Sequence, residues 1–189
     1  MPLNGVRSAA IACRRAAAGV KMECAMAAVS LRESVQMVSD PRNLDASVEE
    51  VFGMMLGIHC EHVGDDDAPE RSPESVTAVV GFGGLLSGAC VFRCDSKAAL
   101  GIAGAMTGMD FAEIDDTVKD GIGEICNMLA GAWKGKVPEL SANCGLSVPA
   151  VITGRDYNLH VQAPEFQIHH IFTFGSEYFE VMIVCDGLQ

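Results

Sequence analysis

Basic residues are scarce in this chain: 13 lysines and arginines stand against 25 aspartates and glutamates, for a formal charge of −12. That deficit argues against non-specific binding to nucleic acid or to an anionic membrane, both of which need a basic footprint, and leaves proteins or small molecules as the expected partners. Long apolar runs are missing too. Stretches such as SAAIAC and AMAAVSL are cut by charges, well short of the ~20 residues of a membrane span, and they lack the h-region of a signal peptide. Cysteine is plentiful but unpatterned: the eight residues form neither a CxxC pair nor the spacing of a disulfide scaffold. Several fall in apolar runs, where a free thiol behaves as a small hydrophobe, so a reducing cytoplasm is the expected setting.

What is present fits one globular domain. The chain has 189 residues, 49% apolar and 20% charged, enough for a sizeable core. Its first 22 residues carry Arg7, Arg14, Arg15 and Lys21 and no acid, so the amino-terminal end differs in kind from the acidic body. Residues 1–43 read as a poorly ordered extension, SDPRN (39–43) as a break, and residues 44–189 as the folded domain.

Along that domain the periodicity predicts a helix over 44–58, with Val48, Val51 and Met55 on one face, then a short strand in IHCEHV and an exposed acidic loop in GDDDAPERSP. A hairpin follows over 76–95 around a glycine-rich turn. A second helix opens at an Asp95 or Ser96 cap and closes near Gly108; a third is capped by Asp115 or Asp116 and ends at Gly135 with Pro138 beyond. LSVPAVITG reads as a strand, YNLHV as a weak one, and residues 169–186 as a final hairpin with Phe179, Val181, Ile183 and Cys185 on one face. The order predicts an α+β fold with helices packed on a largely antiparallel sheet.

Two parts echo one another. EVFGMMLG (50–57) matches EICNMLAG (124–131) at a constant offset of 74 residues, and each hairpin carries a Phe-Gly early and a Cys-Asp late. This predicts duplicated helix-plus-hairpin units related by a pseudo-twofold. In the first copy Glu50 keeps the glutamate, but Gly53 replaces Asn127 and Ala46 replaces Asp120, as in one functional site and one decayed site.

The third helix carries the candidate chemistry. At about 100° per residue, Asp120, Glu124 and Asn127 lie near 0°, 40° and −20°, opposite the stripe of Ile122, Ile125, Leu129 and Trp133. Gly131 and Lys134 continue the polar face. Interior glycines cost roughly 1 kcal/mol each against alanine, so Gly121, Gly123 and Gly131 predict close approach of another molecule to this face.

Other motifs are weaker. His59, Cys60 and His62 of HCEH, together with His169 and His170, offer zinc-ligand types, but neighbouring strand residues point to opposite faces, so they read as ordinary strand residues and no metal ligand is assigned. GDDDAPE lacks EF-hand spacing, GFGGLLSG lies between strands with no P-loop lysine, and Cys126 borders the buried side of its helix, away from any nucleophile role.

DGIGEICNMLAG followed by LSVPAVITG resembles the CheX group of the CheC-type chemotaxis phosphatases, whose motif is an Asp or Ser, three residues, Glu, two residues, Asn and a more distant proline. Asp120, Glu124, Asn127 and Pro149 fill those places, with the proline one residue nearer than in the family pattern. The resemblance covers about residues 44–185. It implies a phosphatase acting on the phospho-aspartate of a CheY-like receiver domain, with Glu124 binding the receiver's active-site lysine and Asn127 orienting the attacking water. Asp120 and Gly131 would belong to the partner-binding face and Pro149 would support it. No cofactor of its own is implied, Mg²⁺ being held by the receiver, and a homodimer is expected. A different class of reading, a non-catalytic adaptor that binds a receiver or flagellar-switch protein through the same face, uses the same residues.

Overall fold

The computed structural model describes residues 38–64, 69, 70, 72–157, 160 and 164–188. Residues 1–37 of the expected extension, half of the acidic loop and most of the weak strand expected in YNLHV lie outside them. Within the described part, Val38 is already fully buried. SDPRN is a compact turn in which the Asp40 carboxylate accepts from the Arg42 backbone N–H at 3.0 Å and side-chain Nη2 at 2.6 Å.

Helix α1 (Arg42–Val48) runs without a break into a π-helical segment, Glu49–Leu56, that ends at Gly57 in the left-handed conformation (φ 69°). The wider turn changes the expected face. Val48 and Val51 are buried as predicted, but Phe52 enters the core, while Met54 and Met55 are left 77% and 62% exposed.

Strands β1 (Glu61–Val63), β2 (Glu74–Gly84) and β3 (Leu86–Asp95) precede α2 (Ser96–Thr107), whose cap is Asp95 accepting from the Ala98 N–H at 2.8 Å. Helix α3 (Asp116–Gly135) is capped by Asp115, which accepts from the Val118 N–H at 2.9 Å. The sequence pattern does not predict α4 (Pro138–Asn143) or β4 (Cys144–Leu146): Pro138, expected only beyond the end of α3, occupies the first turn of a new helix, where its missing N–H costs nothing. The strand expected to start at Leu146 begins instead at Ala150 as β5 (Ala150–Arg155), leaving Ser147, Val148 and Pro149 as a loop. β6 (Phe166–Phe174) and β7 (Glu177–Leu188) form the last hairpin.

The seven strands make one sheet, ordered β1-β6-β7-β3-β2-β4, with β5 also on β2 and every pair antiparallel. β3 and β7 pair at the centre with β2 and β6 outside them. The face under α1 and α3 is apolar. Phe179, Val181, Ile183 and Cys185 of β7 are fully buried there. Phe179 stacks on Phe52 with ring centroids 4.5 Å apart, and Phe92 and Phe172 close the cluster at 5.2 and 5.4 Å. Trp133 of α3 meets Phe82 of β2 at 5.2 Å. Among the described residues no helix is long and apolar enough to cross a membrane.

Candidate functional site

Helix α3 is anchored by its buried stripe, Val118, Ile122, Ile125, Cys126, Leu129, Ala130 and Trp133. The Cys126 thiol is fully buried and lies 3.5 Å from the carbonyl oxygens of Ala78 and Cys90, which fixes it as a packing group under the helix. With that face pinned, the opposite one is presented on a rigid element. Asp120 and Glu124 are exposed and Asn127 is half-buried. The Asn127 Nδ2 donates to Glu124 Oε2 at 3.4 Å, so the amide and the carboxylate meet across one turn. The bond is long, and rearranging it costs little.

Pro149 reaches the same place from elsewhere in the chain. Its loop is tied to β2 by Ser147, whose N–H donates to the Gly81 carbonyl and whose Oγ accepts from the Gly81 N–H, both at 2.9 Å. A Cβ added at Gly123 would lie 3.3 Å from both Pro149 Cβ and Val151 Cγ2. Gly123, one residue before Glu124, is therefore the position where this loop touches the helix, and Val148 beside it is 86% exposed.

This changes the expected account of the glycines. Gly123 is buried against the chain's own loop and strand, and Gly121 faces Ala103 and Met106 of α2 at ordinary contact distance. Only Gly131 is open: nothing lies within 4 Å of a Cβ added there. It borders a groove of about 350 Å³ between α3 and the π-helical segment, lined also by Glu50, Met55, Met128 and Lys136. Lys134, expected on the open polar face, is turned inward, donating from Nζ to the Cys144 carbonyl at 2.6 Å and to that of Ser141 at 3.3 Å.

Glu50, the counterpart of Glu124, is committed differently. It pairs with Lys136, just past the end of α3. A Cβ at Gly53, the position that aligns with Asn127 in the sequence match, would meet the Glu49 carboxylate. Glu50 is thus a partly exposed glutamate tied to a lysine of the same chain, with no amide one turn on, whereas Glu124 faces outward beside Asn127. Sequence reasoning did not find Lys136, because the ion pair joins residues on separate helices.

The profile described as Chemotaxis phosphatase CheX matches residues 76–173, just over half of the chain. The chain belongs to the CheX chemotaxis phosphatase family. Over 88 residues it is 32% identical to the CheY-P phosphatase CheX of Thermotoga maritima, a match covering 46% of this chain and 57% of that relative's length. Its fold is that of the chemotaxis protein CheX from Vibrio vulnificus (TM-score 0.63, 21% identity, 76% of this chain and 94% of that one). It is also that of a Borrelia burgdorferi protein solved as a CheX-CheY-BeF3-Mg²⁺ complex (TM-score 0.60, 20% identity, 77% of this chain and 97% of that one).

Proposed function

We propose that this protein hydrolyses the phospho-aspartate of a CheY-like receiver domain, using the outward face of α3. The observation that carries the reading is the exposed Glu124 hydrogen-bonded to Asn127 on a helix whose other face is locked into the core. Glu124 docks to the ammonium of the receiver's active-site lysine, and Asn127 enters beside the phosphoryl group and holds the attacking water. The water oxygen bonds to phosphorus as the bond to the aspartyl oxygen breaks, releasing a free carboxylate and inorganic phosphate that carries both of the water's protons as H2PO4⁻.

The residue types suit that task. Phosphoryl transfer is governed by positioning and electrostatics, and Mg²⁺ held by the receiver neutralises the phosphoryl oxygens. An amide orients water without adding negative charge there; a carboxylate at position 127 would repel the same oxygens. Asp120, exposed one turn earlier, widens the acidic contact face, and open Gly131 lets the partner approach the backbone. Pro149, packed on Gly123, holds the adjoining loop in place.

A panel of phosphorylated receivers, incubated with and without the protein, tests this directly. At least one acyl-phosphate half-life should shorten. Receivers that bind but keep their intrinsic half-life would identify the adaptor reading in place of the enzyme.

A further inference from the structure

The HCEH segment enters the fold beside a residue that its spacing does not reveal. β1 pairs antiparallel with β6, with His62 opposite Phe172. Residues two apart on a strand share a face, so His62 and His170 project to the same side, and Asp45 of α1 comes down onto them. Asp45 Oδ1 lies 2.7 Å from His170 Nδ1 and 3.7 Å from His62 Nδ1. The two imidazoles stack with centroids 4.1 Å apart, and buried Phe172 packs against His62 at 5.4 Å, walling off one side. One donor atom from each of Asp45, His62 and His170 falls within 4.8 Å of the others.

We propose that Asp45, His62 and His170 bind a divalent first-row transition-metal ion of the zinc type, which fastens α1 to strands β1 and β6. Two imidazoles and one carboxylate form a donor set suited to such ions, with water completing the coordination; Mg²⁺ and Ca²⁺ prefer oxygen donors throughout. Metal–ligand bonds of about 2.0–2.2 Å in a tetrahedron place donor atoms about 3.3 Å apart, and the two distances to Asp45 straddle that value. The site closes when the two imidazoles rotate out of their stack so that both Nδ1 atoms face one point with Asp45 Oδ1. The Asp45 and His62 side chains are 41% and 43% exposed and His170 only 11%, which leaves an entry path and a position for water on one side of a supported set. His59 and Cys60, which the sequence also offered as ligands, precede β1 and are not in the cluster.

The structural role follows from the topology. Among the described residues β1 is a three-residue edge strand paired to β6 alone, so its ladder is short. A metal bridging it to β6 and α1 adds a constraint that those few backbone bonds lack. None of the three ligands lies on α3, and this inference stands independently of the phosphatase reading.

The test is titration of the full-length, chelator-stripped protein with Co²⁺ and then Zn²⁺. The expected result is one Co²⁺ per chain with d–d absorption, no intense thiolate charge-transfer band, displacement by Zn²⁺ and a raised thermal midpoint with Zn²⁺. His62→Ala and Asp45→Asn alter partly exposed side chains and should retain the metal-free melting transition while weakening binding by about 100-fold or more, since even losing an outer-shell partner costs 10–100-fold. His59→Ala should bind like wild type. Absence of saturable binding, a thiolate band, or unchanged affinity in both His62→Ala and Asp45→Asn would overturn the proposal.

Discussion

At the scale of single residues, the difference between the two glutamates of the repeated motif is a difference in partners. Glu124 faces outward with Asn127; Glu50 is tied to Lys136. On the proposed docking, replacing Glu124 by lysine sets like charge against the receiver's lysine, which costs on the order of several kcal/mol in an interface, so binding should collapse in a titration against the BeF3⁻-loaded receiver. Glu124→Gln should be milder, and wild-type binding should weaken as salt rises. Wild-type affinity in Glu124→Lys would show that this face does not dock as described. Glu50→Ala has a contrasting expectation. Its ion pair is partly exposed, so stability should fall by no more than about 1 kcal/mol in denaturant melts, with receiver dephosphorylation unchanged.

At the scale of elements, α3 was the most legible part of the chain, because its acidic cap, its apolar stripe and its terminal glycine are all local signals. The trio Asp120, Glu124 and Asn127 shares a face by helical spacing alone, which makes it legible without any tertiary contact. Apart from α4, whose Pro138 start is itself a local signal, what the sequence hides is non-local or conformational. The π-helical segment rotates Met55 out and Phe52 in without a mark in the hydrophobic pattern. Pro149 was found only through the family motif; its seat on Gly123 depends on how the β4–β5 loop is pinned to β2. The glycines now separate into testable cases. Gly131→Ala meets open space in a helix and should stabilise the fold by about 1 kcal/mol while weakening receiver binding. Gly123→Ala presses on Pro149 and Val151, so it should lack that gain and should slow dephosphorylation by displacing the loop. Thermal melts and half-life measurements on both variants check this; equal behaviour would mean that the two positions do not differ as their surroundings require.

At the scale of the whole molecule, the sheet and its buried aromatic cluster hold α3 still, and the acidic body of the chain suits a partner that presents a lysine. The folded part includes Val38, whose full burial lies ahead of the break the sequence marked at Ser39 to Asn43. A truncation starting at Met37 should therefore fold and dephosphorylate the same receivers as the full chain, whereas one starting at Asn43 should melt lower. The central claim is that Asn127 supplies the chemistry and Glu124 the docking. Its most direct test is the half-life of a receiver's acyl phosphate in the presence of Asn127→Ala at a concentration that saturates binding. The half-life should equal that of the receiver alone; if it shortens as with the wild-type protein, Asn127 does not position the water.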